Sequence, residues 1–136
     1  MKYMMIVKLD GNSEDARQYE AGTPPPEDFQ QAIGKLIEKM LQSGVLVGTG
    51  GLRPLADGAR IQVSGGKLSV TDGPYIESKE IIGGYAILDV GSKKEALQWS
   101  EEFMQIHIDL LGSSWVGELE IRQMSDPEGG CKFAEQ

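Results

Sequence analysis

The opening nine residues constrain the fold more than any other segment. Met1 to Leu9 places Tyr3, Met5, Val7 and Leu9 on one face of an extended chain and Met4 and Ile6 on the other. A half-exposed strand alternates apolar with polar residues, so a strand apolar on both sides belongs inside a sheet that is covered on two faces. With 136 residues, enough for one domain, the chain must either cover both faces itself or recruit a partner to do so. The same run is too short and too alternating for a signal peptide, and no apolar stretch approaches bilayer length, so a cytoplasmic protein without a membrane contact is expected.

The covering material is legible downstream. Pro24-Pro25-Pro26 pre-sets the entry to a helix that begins at Glu27. Phe29, Ala32, Ile33, Leu36, Ile37, Met40 and Leu41 recur at the spacing of one helical face, Glu27 and Asp28 complement the dipole of the first turn, and Gly44 supplies the stop. A second helix opens with Ser92 and Glu95 as a capping-box pair and carries Ala96, Leu97, Ser100, Phe103 and Met104 inward. It extends past His107 toward Leu111 and ends at Gly112. Asp10 to Thr23 is polar and reads as a loop.

The remaining segments read as strands. Val45 to Leu52 is short and glycine-rich, leaving room for something to approach its backbone. Arg60 to Thr71 reads as a hairpin, with Ile61, Val63, Leu68 and Val70 alternating about a Gly65-Gly66 turn. Gly84 to Val90 sets Ala86, Leu88 and Val90 against Tyr85, Ile87 and Asp89, and Trp115 to Met124 forms the last strand. Residues 1–124 thus make one domain, and 125–136 a polar tail. The order is β-α-β-β-α-β with an inserted hairpin, a ferredoxin-like α+β arrangement in which two helices lie on one face of an antiparallel sheet. Two helices leave the other face bare, so sheet-to-sheet homodimerisation into a dimeric α+β barrel is expected.

Composition excludes some functions. Net charge is −8 with no run of Lys or Arg, which repels a nucleic-acid backbone. Cys131 is the sole cysteine, so there is no internal disulfide and no cysteine-rich metal site. Gly48-Thr49-Gly50-Gly51 lacks the Lys-Ser/Thr ending of a phosphate loop and opens no helix. No metal and no cofactor are expected.

Several segments combine into a recognisable set: Met1-Lys2-Tyr3-Met4, Gly44-Val45-Leu46, Val70-Thr71-Asp72-Gly73-Pro74-Tyr75, Glu77-Ser78-Lys79-Glu80, Gly83-Gly84-Tyr85, and Trp115-Val116-Gly117-Glu118-Leu119-Glu120-Ile121-Arg122. In this order they resemble the YCII-related superfamily, and within it the branch named for a DGPF motif. The resemblance implies a bacterial protein, a ferredoxin-like fold and a dimeric α+β barrel. It also implies genomic company with extracytoplasmic-function sigma factors, hence a stress-response role or a protein-interaction module with a sigma factor as partner. Tyr75 stands where the motif's name has phenylalanine. Relatives of the superfamily carry a His/Asp pair whose His comes early, whereas the one histidine here is His107, so that pair does not transfer.

Candidate site residues follow from chemistry. His107 is the only side chain whose ordinary pKa lies near neutrality, which suits general acid/base work; it also follows Phe103 by four and Met104 by three, the spacing of a buried, hydrogen-bonded core histidine. Asp72 either orients a base or closes its own turn as an Asx acceptor. Tyr75 either offers its hydroxyl to a ligand or plugs the rim of the core, and Glu77, Lys79 and Glu80 either ring a cavity mouth or pair as solvated charges. Glu118, Glu120 and Arg122 share one face of the last strand and look, with Tyr85 and Asp89, toward the partner sheet. The expected function is binding of a small molecule in a cavity of the barrel between sheet, second helix and the Asp72 loop. A cofactor-independent enzyme using His107 or Asp72 is the alternative.

Overall fold

The computed structural model describes residues 1–73 and 80–125. Within them the elements run β1 (Lys2–Asp10), α1 (Glu14–Glu20), α2 (Glu27–Gln42), β2 (Leu46–Gly51), β3 (Ala59–Ser64), β4 (Lys67–Asp72), β5 (Glu80–Asp89), α3 (Lys93–Leu111) and β6 (Gly117–Gln123), with a 3-10 turn at Leu55–Asp57. The main sheet has the order β2-β5-β1-β6, every neighbouring pair antiparallel, and β3-β4 forms a separate two-stranded ribbon. This is the ferredoxin-like arrangement, with β1 inside the sheet as its two apolar faces require. Among the described residues no helix is long and apolar enough to cross a membrane.

The register assigns the faces. Tyr3, Met5 and Val7 stand opposite Leu88, Ala86 and Gly84 of β5, and Val7 and Met5 opposite Leu119 and Ile121 of β6. These residues lie beneath the helices: Tyr3, Met5, Leu36, Met40, Val45, Leu88, Val90 and Ala96 form the main core, and Leu46, Trp99, Phe103, Leu119 and Ile121 pack against it. The opposite face carries Met4 and Ile6, paired with Ile87 and Tyr85, and then Lys8 beside Ile82. No element covers that face among the described residues, and Ile82 and Tyr85 are exposed on it.

Two expectations need correction. The segment Asp10 to Thr23 is not all loop, because α1 occupies its centre. Ser13 caps this helix by accepting a hydrogen bond from the Ala16 N–H at 3.1 Å, Glu14 and Asp15 occupy its first turn, and the buried Ala16 packs with Leu9 and Ile81. Seven residues is too short a run for periodicity to stand out, so the cap and the acidic first turn carried the signal. The sheet's covered face therefore meets three helices rather than two. The second correction concerns the roll of α3. Leu97 faces outward, while Trp99 and Ile106 join Ala96, Ser100, Phe103 and His107 on the inner side. Ser92 caps α3 as expected, accepting from the Glu95 N–H at 3.1 Å, but the Glu95 carboxylate reaches back one residue further, to the Gly91 N–H at 3.0 Å.

The glycine-rich β2 has a visible reason. Gly50 stands opposite Tyr85, and a Cβ at Gly50 would come within 3.1 Å of the tyrosine ring, so the ring lies flat on the strand where a side chain would otherwise stand. In the hairpin, Gly65 and Gly66 both take positive φ, 58° and 74°, the paired values of the tight turn that suits strand twist.

Candidate functional site

A cleft of about 760 Å³ opens between the covered face of the sheet and the three helices. Its floor is Met5, Val7 and Leu9 of β1, with Gly51, Gly83 and Gly84 alongside. The glycines add no side chain to the floor, which is why space remains beneath the helices at this end. Ile33, Leu36 and Ile37 of α2 form one wall, Phe103 and His107 of α3 another, and Tyr19 of α1 with Pro24–Pro26 the rim. Tyr19 is fixed by its hydroxyl, which donates to the Leu52 carbonyl and lies 3.0 Å from that of Arg53, tying α1 to the end of β2. Burial, and then the nearby Glu20 charge, hold its pKa above the usual tyrosine value.

His107 is the principal polar group of the wall. It is only 5% exposed and sits among three rings, with centroid distances of 4.9 Å to Phe29, 4.8 Å to Phe103 and 4.5 Å to Trp115. Its Nδ1–H donates to the Phe103 carbonyl, one helical turn back, at 3.0 Å. Burial lowers its pKa from the ordinary 6.5, opposed by that carbonyl contact. At neutral pH the ring is therefore uncharged, with its proton on Nδ1 and a bare lone pair on Nε2. No hydrogen bond to Nε2 exists among the described residues, and none of their side-chain nitrogens or oxygens is both fully buried and unpartnered, so Nε2 keeps contact with accessible space. Among the other polar residues around the cleft, Thr49 Oγ1 donates to the Tyr85 carbonyl at 3.0 Å and Asp15 Oδ2 accepts from the Val116 N–H at 3.3 Å, while Gln18 and Thr23 stand with Tyr19 at the α1 end.

The lowered pKa gives His107 a signature in stability. The unfolded chain binds this proton more readily than the folded one, so the stability due to a neutral His107 is present above pH 6.5 and is lost as pH falls below it toward the lower folded value. Urea unfolding of wild type and His107→Leu at pH 7.5 and pH 5.5 checks this, the pH values chosen to straddle an ordinary imidazole pKa of about 6.5. Wild type should lose more stability than the variant across that interval, and equal losses would contradict a desolvated imidazole.

Of the other described candidate residues, Tyr85 borders the cleft and the rest lie elsewhere. Asp72 ends β4, opposite Ala59, and is not among the described residues that line the cleft, so it is not brought to His107 there. Tyr75, Glu77 and Lys79 fall outside the described residues. Tyr85 points its ring to the uncovered face. Glu118 and Arg122 lie on that face too, opposite Lys8 and Met4, as the alternation in the last strand implies. Lys8 links three strands there, with Nζ 2.6 Å from Glu120 and 3.6 Å from Glu80, and Arg122 lies 3.6 Å from Glu120. The hydrogen bond between them holds the Lys8 pKa above, and that of Glu120 below, its ordinary value. Among the described residues no group of three or more His, Cys, Asp or Glu side chains could hold a metal ion.

The sequence singles out His107 but not its surroundings. In the sequence Phe29 is one residue of a helical stripe and Tyr19 falls in a polar segment that reads as loop, whereas Tyr19 belongs to α1 and Trp115 precedes the last strand rather than opening it. Trp115 is held by an absence: a Cβ at Gly117 would overlap its ring, so only glycine leaves room for the indole beside His107. No curated protein matches the chain. The family model described as the YCII-related domain matches residues 1–116, and the chain belongs to that family.

Proposed function

We propose that this protein binds a small, largely apolar molecule in the helix-side cleft and holds it by one hydrogen bond donated to His107 Nε2. The observation that carries this reading is a neutral, nearly buried imidazole at the wall of a mostly apolar cleft, with Nδ1 occupied and no hydrogen bond to Nε2 among the described residues. A volume near 760 Å³ suits a metabolite-sized ligand, and such sites combine apolar walls with few polar contacts. Three aromatic neighbours favour a flat, aromatic ligand bearing a hydroxyl or similar donor.

Naphthol and its methyl ether test the reading, because they share a ring system and differ in the donor. Isothermal titration of wild type should show naphthol binding about tenfold more tightly, the worth of roughly one hydrogen bond made in a dry site. His107→Leu should bring the two affinities together. Equal affinity for wild type, or a preference that survives in His107→Leu, would sink the proposal.

A second reading rests on the same nitrogen. An imidazole that is neutral at pH 7, with its lone pair open to a cleft, can act as a general base toward a bound acid without a cofactor. In that case turnover requires His107 and falls as pH drops through its pKa. Under either reading the protein works as a homodimer joined through the uncovered sheet face. Support for this comes from the exposed Ile82 and Tyr85 beside Met4, Ile6 and Ile87 on a face that no element of the described residues covers.

A further inference from the structure

The polar residues around the cleft are gathered largely on one element. Asp15, Gln18 and Tyr19 of α1 line it, and their spacing of three and four residues puts them on one face of that helix. Glu14 and Arg17 lie on another face, where the guanidinium sits 2.9 Å from the carboxylate and so uses the one basic side chain of α1. Asp15 is half-buried and joins no ion pair among the described residues. Its Oδ2 accepts from the Val116 N–H, and no hydrogen bond to Oδ1 exists among the described residues. Of the described residues that line the cleft, Asp15 is the one acidic side chain, none is Lys or Arg, and His107 is neutral. The carboxylate also lies beside the aromatic cluster, because Val116 follows Trp115, whose ring packs on His107.

We infer that the ligand of this cleft is an aromatic amine: its protonated amino group pairs with Asp15 Oδ1 while its ring system lies among Phe29, Phe103 and Trp115. The chemistry of the lining carries this in two steps. A cleft with one carboxylate and no cation favours a positive ligand and repels a carboxylate or phosphate, and the chain's net charge of −8 adds to that field. An ammonium group also has three protons to place. Asp15 Oδ1 takes one in a charge-assisted bond, the side-chain oxygens of Gln18 and Thr23 stand at the same end, and the aromatic faces nearby attract a positive charge. A neutral ligand of the same shape would leave the carboxylate without a counter-charge, and an anionic one would be repelled by it. The inference rests on the reading of the cleft as a small-molecule site, and adds the charge of the ligand and the residue that selects it.

Isothermal titration of the full chain with three naphthalenes tests it: an aminomethyl-naphthol, naphthol and a hydroxynaphthoic acid, which are positive, neutral and negative at neutral pH. Wild type should bind the amine about tenfold more tightly than naphthol, and the acid at least about tenfold more weakly. Raising the salt concentration should narrow both gaps, since Asp15 is partly exposed. Asp15→Asn keeps an oxygen for the Val116 N–H, so it should fold as wild type does, bind naphthol unchanged and lose the amine's advantage. An amine that binds wild type no better than naphthol, or whose advantage survives in Asp15→Asn, would overturn the inference. The first of these results needs no variant. The hydrogen bond to His107 fails separately. A preference for naphthol over its methyl ether without an amine advantage overturns the Asp15 pairing and leaves the proposed function standing. An Asp15-dependent amine advantage supports the pairing even where the ether binds as well as naphthol. Absence of binding by all three probes would overturn both.

Discussion

Leu88→Ala will destabilise the protein by about 3 kcal/mol, lowering its melting temperature by roughly 10 °C. Leu88 is the most completely enclosed large side chain among the described residues, at 0% exposure. It lies on the covered face of β5, opposite Tyr3 on one side and Leu46 on the other, in the cluster that joins the sheet to α2 and α3. Truncation removes apolar burial and leaves a cavity that strands paired on both sides cannot close. Leu97→Ala is the informative comparison, because both changes delete the same atoms. Leu97 projects outward from α3, so its loss should cost less than about 1 kcal/mol. Equal costs in urea unfolding would mean that α3 is rolled to bury Leu97.

Gly117→Val carries the second large effect, and its sign separates two explanations. By strand propensity alone, valine in β6 should help, since β-branched residues suit a pleated surface. The position of Trp115 demands the reverse, because a side chain at residue 117 enters the volume of the indole ring. The variant should lose about 2 kcal/mol, within the range for overpacking, and the indole should move away from His107. Urea unfolding measures the first effect. Titration with naphthol measures the second, as weakened binding without any change to His107 itself. A neutral or stabilising Gly117→Val would show that Trp115 does not need that space.

The sheet was legible because its strands carry their instructions locally. Two apolar faces place β1 inside, the turn glycines fix the hairpin, and alternation in the last strand separates Leu119 and Ile121 from Glu118, Glu120 and Arg122. The long stripe from Phe29 to Leu41 likewise specifies α2. What was hidden depended on distance. In α1, seven residues give no periodic stripe, and only the cap at Ser13 marks it. The roll of α3 is decided by Trp99 and Ile106 meeting the core, which the spacing of Leu97 and Met104 does not reveal. The cleft was hidden most fully, for it arises where glycines of β2 and β5 meet residues of α1, α2 and α3. Its location on the helix side moves attention away from the loop that begins at Asp72. That loop's residues from Pro74 to Lys79 lie outside the described part of the chain, so the site rests on His107 and its rings.

A crystal structure of the full chain soaked with naphthol tests this account most directly. The account predicts the ring system in the cleft among Phe29, Phe103 and Trp115, with the hydroxyl oxygen within hydrogen-bonding distance of His107 Nε2. A structure with the probe on the uncovered sheet face, or with the cleft closed to it, would contradict the account.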